Sequence, residues 1–105
     1  MSVILKGVIK EEKDRLEKLQ SSYLKLLDQL PKGSYRLRDL KGNKYCYQVY
    51  RDGDNVINEY LGNVNRQDVQ EIIEKFGQAK KLKKQLKEVK ESLKEIEKLL
   101  GGKSK

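Results

Sequence analysis

Apolar residues in the first part of the chain follow the spacing of an α-helix with one apolar stripe. The steps between them alternate between three and four residues, as on a helix that packs against one partner helix. The stripe comprises Leu16, Leu19, Tyr23, Leu26 and Leu30, and Leu5 and Ile9 extend it upstream. Because Pro31 disfavours helical geometry in the residue before it, the pattern predicts a helix over residues 6–30.

From residue 34 to residue 61 the apolar period changes to two, which indicates β-strands. Turn signals at residues 41–43 and at Asp52–Gly53 divide this region into three strands of an antiparallel meander. We expect one face of the middle strand, formed by Tyr45, Tyr47 and Val49, to pack against the helices. The opposite face then carries Cys46, Gln48 and Tyr50.

A second helical pattern covers residues 65–100, with Asn65 as the expected N-cap and Gly101–Gly102 as its end. Its apolar stripe comprises Val69, Ile72, Phe76, Ala79, Leu82, Leu86, Val89, Leu93, Ile96 and Leu100. Two steps of three follow one another between Phe76 and Leu82, beside Gly77, which predicts a kink or a change of packing partner. Residues 101–105 are expected to form a frayed tail.

Together these patterns predict an α+β fold in one domain spanning residues 1–105. An N-terminal helix leads into a three-stranded antiparallel meander, and a long C-terminal helix follows. The two helices have stripes of similar length and run in opposite directions, so we expect an antiparallel coiled-coil hairpin with the sheet at its tip. Two narrow stripes bury little apolar surface in a chain of 105 residues, which favours a homodimer.

Composition restricts the chemistry that this chain can perform. It contains no His and only one Cys, Cys46, which argues against the common nucleophile systems, thiolate metal cages and internal disulfides. The carboxylates Asp52 and Asp54 flank a turn, where such residues are usual. We therefore predict a protein that is not an enzyme and needs no cofactor or metal. Since no apolar stretch approaches a membrane span, we expect it to be cytoplasmic and not membrane-bound.

Charge points toward an anionic partner. The formal net charge is +8, and residues 62–105 contribute +5 of it with 12 basic and 7 acidic residues. Residues 80–90 are the densest stretch, and Lys80, Lys84 and Lys87 share one side of the predicted helix. These lysines could bind the phosphate backbone of a nucleic acid, or they could simply be the solvated flank of a coiled coil.

The predicted sheet supplies the second group of candidate binding residues. Arg36, Arg38 and Arg51 lie among five of the six tyrosines, and Tyr50 and Tyr35 are the tyrosines expected to be exposed. Guanidinium groups pair with phosphates or guanine edges, and aromatic rings stack on bases. The alternative is that the tyrosines only stabilise a small sheet, where aromatic residues are favoured. We select Arg36, Arg38, Tyr50 and Arg51 as candidate nucleic-acid contacts, together with the three lysines.

The sheet region also resembles a known family. The residues that carry the likeness are Leu30-Pro31-Lys32-Gly33-Ser34, followed by Gly42, Tyr45, Tyr47, Arg51, Gly53 and Tyr60-Leu61-Gly62. This order is similar to a family of short, uncharacterised prokaryotic and mobile-element proteins that combine a tyrosine-rich hairpin with a coiled-coil tail. The resemblance implies a fold and no activity. In outline the meander is also similar to the arm-type DNA-binding domain of tyrosine recombinases.

Two functions follow as hypotheses. The first is a nucleic-acid-binding regulator or accessory protein that contacts DNA or RNA with the basic sheet and the Lys-rich helix. The second is a protein-interaction module for an acidic partner, such as an antitoxin-like neutraliser, a phage-encoded inhibitor or a coiled-coil adaptor.

Overall fold

A computed structural model describes residues 2–101. Its elements in chain order are helix α1, Val3–Asp28; strands β1, Ser34–Leu40, β2, Asn43–Asp52, and β3, Asn55–Asn63; and helix α2, Gln67–Leu99. The predicted α+β class and the order of its elements are therefore confirmed. The predicted tail beyond Gly101 lies outside the described residues. Within residues 2–101, neither helix is long and apolar enough to cross a membrane.

Both helices begin where a local hydrogen bond fixes their first turn. α1 starts at Val3, upstream of the predicted position, because the Ser2 hydroxyl caps it by accepting from the Leu5 amide at 3.1 Å. α2 starts at Gln67, and the Arg66 carbonyl accepts its first intrahelical bond from the Gln70 amide. Asn65 is therefore not the N-cap that the sequence predicted.

The first of two compact units combines α1 with the part of α2 from Leu82 onward. Leu16, Val89 and Ile96 form its buried core. The partly buried residues packed around that core are Ile9, Leu19, Tyr23, Leu93 and Leu100. Ile9 and Ile96 line the same cleft, so the start of α1 lies beside the end of α2 and the two helices are antiparallel.

The predicted stripe of α1 is wrong at two positions. Leu5 is 51% exposed and Leu26 is 49% exposed, whereas Leu27 is half-buried. An α-helix has 3.6 residues per turn, so a strict heptad stripe drifts around its surface unless the helices supercoil. Leu27 is therefore closer to the buried side than Leu26.

The second compact unit, residues 29–81, contains the sheet and the beginning of α2. The strands are antiparallel in the order β1-β2-β3, as the sequence predicted. A bulge interrupts the β2–β3 ladder: Cys46 pairs with Gly62 and Tyr47 with Tyr60, which leaves Leu61 without a partner.

Helix α2 covers one face of this sheet. Phe76 packs on Tyr35 with ring centroids 5.7 Å apart, and a Cβ atom on Gly62 would lie 3.0 Å from Cγ2 of Val69. Cys46 lies on the same face as Gly62 and is fully buried. The helix thus packs on the face whose small residues allow a close approach.

The predicted orientation of β2 is therefore wrong. Tyr45, Tyr47 and Val49 alternate with Cys46 along the strand, so they lie on the face opposite α2. The sequence-based prediction placed Tyr45 and Tyr47 in the core because aromatic side chains are large and apolar. Close helix packing instead favours the face that carries Cys46 and Gly62.

The irregular spacing in α2 coincides with a change of packing partner. Val69 and Phe76 pack on the sheet, whereas Val89 and Ile96 belong to the cluster with α1. α2 remains one helix through Gly77. The predicted change of packing partner is confirmed.

Candidate functional site

The sheet face opposite α2 is the candidate functional site, and we call it the open face. The residues of its two outer strands are assigned by their register with β2: Arg36 pairs with Tyr47, and Tyr47 pairs with Tyr60. Its principal members are Arg36, Arg38, Tyr45, Tyr47, Val49, Arg51, Asn58 and Tyr60. Within residues 34–63 the only buried residues are Cys46 and Gly62, and both lie on the covered face.

Charge is segregated between the two faces of the sheet. All three strand arginines, Arg36, Arg38 and Arg51, lie on the open face by strand alternation and register. The three strand carboxylates lie on the covered face together with Lys44; they are Asp39, Asp52 and Glu59. Within residues 34–63 the open-face strand positions therefore carry three positive charges and no negative one, which creates a positive local potential.

Three tyrosines form a cluster on the open face. The Tyr60 ring centroid lies 5.3 Å from that of Tyr47 and 6.3 Å from that of Tyr45, with interplanar angles of 58° and 49°. Such tilted arrangements are favoured for aromatic pairs, and they hold each ring in place. Because the rings are tilted and not stacked face to face, they do not cover one another's π-faces. Tyr60 remains 56% exposed.

Arg38 connects the basic and the aromatic residues. Its guanidinium carbon lies 5.8 Å from the centroid of the Tyr47 ring, within the range of a cation–π interaction. Beside this pair is a cavity of about 340 Å³ lined by Arg36, Leu37, Arg38, Tyr47 and Asn58. The guanidinium groups donate hydrogen bonds only, whereas the Asn58 amide both donates and accepts. The cavity is therefore lined by an aromatic ring, two guanidinium groups and an amide.

Of the four predicted site residues in the sheet, three share the open face and one does not. Arg36 and Arg38 lie next to each other along β1, and Arg51 lies farther along β2, toward the β2–β3 turn. Tyr50 is half-buried on the covered face, opposite Ile57, so its predicted place beside the arginines is wrong. Tyr35 lies on the covered face too, where it packs on Phe76, but at 39% it is exposed as the sequence predicted. The correction at Tyr50 follows from the reversed orientation of β2.

The predicted lysines lie on α2. Lys80, Lys84 and Lys87 are all exposed and follow one another at helical spacing. Lys80 belongs to the segment of α2 in the sheet unit, which packs on the covered face, so it does not enlarge the open face. Lys84 and Lys87 belong to the helical unit.

Sequence reasoning missed the tyrosines of the open face and Asn58. A usable signal was present in the alternation of β2, where Cys46 is the one small residue between two tyrosines. A second signal was the alternation of charges along β1. Arg36 and Arg38 are two residues apart and lie on one side of the strand, whereas Asp39 lies on the other side. Both signals assign Tyr45 and Tyr47 to the arginine-bearing face once strand pairing is known.

The cysteine is part of the packing under the covered face. Cys46 is fully buried, and this burial raises the pKa of its thiol above the ordinary value. A thiol that stays protonated is a poor nucleophile, so Cys46 behaves here as a small apolar residue.

No family model, curated protein or solved structure matches this chain. Its function is therefore inferred from its own residues and their arrangement. The likenesses drawn from the sheet motif remain predictions.

Proposed function

We propose that the open face binds nucleic acid and that the protein acts as a small regulator or accessory factor without catalysing a reaction. The observation that carries this proposal is the segregation of charge on the sheet. Three arginines share a face with three tyrosines, and the strand carboxylates lie on the other face. Such a face attracts a phosphate backbone, because contacts between cations and phosphates supply nearly all of the affinity in sequence-independent nucleic-acid binding.

The side chains of the open face fit both parts of a nucleotide. Arg36 and Arg38 present planar forks that pair with phosphates or with guanine edges in a bidentate way. Tyr60 offers an exposed ring on which a base can stack. We further propose that Lys84 and Lys87 add phosphate contacts along α2, where both are exposed.

The same face supports a second candidate, a binding site for an acidic protein. Tyrosine and arginine are enriched among the residues that dominate protein interfaces, and Tyr60 and Val56 are both more than half exposed on this side of the sheet. This alternative predicts binding to a protein partner and no affinity for oligonucleotides.

The experiment compares two charge reversals with equal change in net charge. Arg36→Glu with Arg38→Glu alters the open face, whereas Lys44→Glu with Lys75→Glu alters residues elsewhere in the same unit. Binding of labelled single-stranded and duplex oligonucleotides is measured by fluorescence anisotropy at several salt concentrations. Circular dichroism confirms that each variant keeps its fold.

We expect the wild-type affinity to fall steeply as salt rises, because binding releases counterions from the phosphates. The arginine variant should bind much more weakly, and its salt slope should shrink by about 0.7–0.9 for each phosphate that is no longer neutralised. The lysine variant should retain most of the affinity and slope. Equal losses in the two variants would contradict a specific role for the open face, and an absence of oligonucleotide binding by the wild type would favour the protein partner.

Other sequence-based expectations remain predictions. They are the homodimer, a cytoplasmic location and membership in the mobile-element family. The exposed aliphatic side chains of Val3, Ile4 and Val8 on α1 are compatible with further packing.

A further inference from the structure

Resting on the proposed function, we infer that the open face selects single-stranded nucleic acid and stacks unpaired bases on its tyrosines. The nature of the exposed aromatic surface leads to this inference. The Tyr60 ring is 56% exposed and is tilted by 58° to the Tyr47 ring, so its π-face is not covered by that neighbour. Bases inside a duplex already have their faces stacked on adjacent bases, and only an unpaired base has a face to offer.

The width of the sheet also argues against a duplex ligand. The major groove of B-DNA is about 12 Å wide and admits a two-stranded ribbon. Here the tyrosines and arginines are spread over all three strands, with Arg36 on β1, Tyr47 on β2 and Tyr60 on β3. Adjacent strands are about 4.8 Å apart, so these backbones alone span nearly the whole groove. A single strand laid across the sheet reaches all three residues without this restriction.

The cavity beside Tyr47 supplies a place for a second base. Arg38 lies over one part of the Tyr47 ring, and Arg36 and Asn58 line the same cavity of about 340 Å³. Unpaired bases expose hydrogen-bonding edges that pairing would occupy, and an amide and two guanidinium groups can bind them. We therefore assign stacking to Tyr60, and edge and phosphate contacts to the cavity residues.

The test uses two substitutions at Tyr60 and four probes of about 12 nucleotides, which fall within the site sizes of known single-strand binders. Tyr60→Leu removes the ring and keeps an apolar side chain, whereas Tyr60→Phe keeps the ring and removes only the hydroxyl. The probes are a DNA strand, an RNA strand of the same sequence, the blunt DNA duplex, and a DNA strand without bases. Because the chain has no Trp, quenching of tyrosine fluorescence by stacked bases can be followed directly beside anisotropy.

We expect the wild type to bind a single strand at least about tenfold more tightly than the duplex or the strand without bases. Tyr60→Leu should weaken single-strand binding by about 5- to 150-fold, the range found when a stacking aromatic is removed. It should leave duplex binding nearly unchanged. Tyr60→Phe should bind like the wild type by anisotropy and show less quenching, because the ring on which the base stacks is then no longer a tyrosine. Tighter binding of either the DNA or the RNA strand supports the inference and identifies the preferred sugar.

Three results would overturn the inference. They are equal or tighter binding of the duplex, full affinity for the strand without bases, and unchanged single-strand binding by Tyr60→Leu. In each of these cases nucleic-acid binding itself persists, so the proposed function stands while its single-strand form fails. Failure of the wild type to bind any probe would remove the proposed function as well. Circular dichroism is recorded for both variants, and if Tyr60→Leu does not fold, the duplex and base-free probes still decide the question.

Discussion

Gly33 controls how the chain enters β1, and its replacement is the most discriminating test of the packing around the sheet. It has a φ of +77°, and a Cβ atom there would collide with the carbonyl oxygen of Val49. The same atom would lie 2.9 Å from Cβ of Tyr50. Val49 is in the central strand, directly opposite Ser34, so the collision cannot be relieved without moving β1 against β2.

Gly42 provides a matched control in the turn between β1 and β2. Its φ of +83° is nearly the same, but an added Cβ would meet no atom within 4 Å. Alanine in this left-handed conformation costs about 1–2 kcal/mol at either site. At Gly33 the steric collision adds about 1–3 kcal/mol, as crowding of a packed site usually does. We therefore expect Gly33→Ala to lower the free energy of unfolding by about 2–5 kcal/mol and Gly42→Ala by about 1–2 kcal/mol.

Thermal and urea unfolding of both variants measure this difference. Near-ultraviolet circular dichroism is a suitable probe, because five of the six tyrosines lie in the strands. A difference of 1 kcal/mol corresponds to about 4–8 °C in the melting temperature of a small domain. A shift of β1 also moves Arg36 and Arg38 relative to Tyr47, so Gly33→Ala should weaken oligonucleotide binding more than Gly42→Ala does. Equal losses of stability, or a larger loss for Gly42→Ala, would refute the packing assigned to Gly33.

Two further predictions concern the buried residues of each unit. Cys46 should react slowly with iodoacetamide in the folded protein and quickly in denaturant. Because burial raises its folded pKa above the unfolded value, its contribution to stability is present below the unfolded pKa and is lost as pH rises through the folded pKa. Cys46→Ala should therefore reduce the loss of stability at alkaline pH in urea titrations, and an unchanged pH profile would contradict this. In the helical unit, Ile96→Ala should cost about 2–5 kcal/mol in urea unfolding, because Ile96 is buried. Leu99→Ala should cost under about 0.5 kcal/mol, since Leu99 is 56% exposed, and similar losses for the two would refute the assigned helix packing.

The sequence predicted the elements well because period, turn residues and breakers are local signals. The change of period after Pro31 separates α1 from the meander, and the turns around Gly42 and Gly53 divide the three strands. The change of packing partner along α2 was also predictable, since one helix that packs first on a sheet and then on a helix needs two different apolar spacings.

The orientation of the sheet was not predictable in the same way. Both faces of β2 carry tyrosines, so amphipathicity does not distinguish them, and a preference for burying aromatic residues chose the wrong face. The buried face is the one to which α2 can pack most closely. That face is identified by two small residues on different strands, Cys46 on β2 and Gly62 on β3. The same reversal affects the candidate site: Arg36, Arg38 and Arg51 do share one face, but Tyr50 lies on the other. Tyr47 and Tyr60 are the tyrosines beside the arginines.

The corrected orientation changes the picture of the surface. Arginines and carboxylates are interspersed with one another in the sequence of the sheet, but strand alternation and pairing place the three arginines on one face and the three carboxylates on the other. The tyrosines thought to form the core are sorted onto the arginine face as well. A face with this composition is suited to a ligand that is both anionic and aromatic, and nucleic acid combines both properties.

The most direct test of nucleic-acid binding by the open face is an NMR titration of isotope-labelled protein with a single-stranded oligonucleotide. We expect backbone and side-chain shifts to concentrate on Arg36, Arg38, Tyr47, Asn58 and Tyr60. Residues of the covered face and of the α1–α2 core, such as Cys46 and Leu16, should change little. Shifts restricted to the lysines of α2, or no shifts at oligonucleotide concentrations well above that of the protein, would contradict binding by the open face.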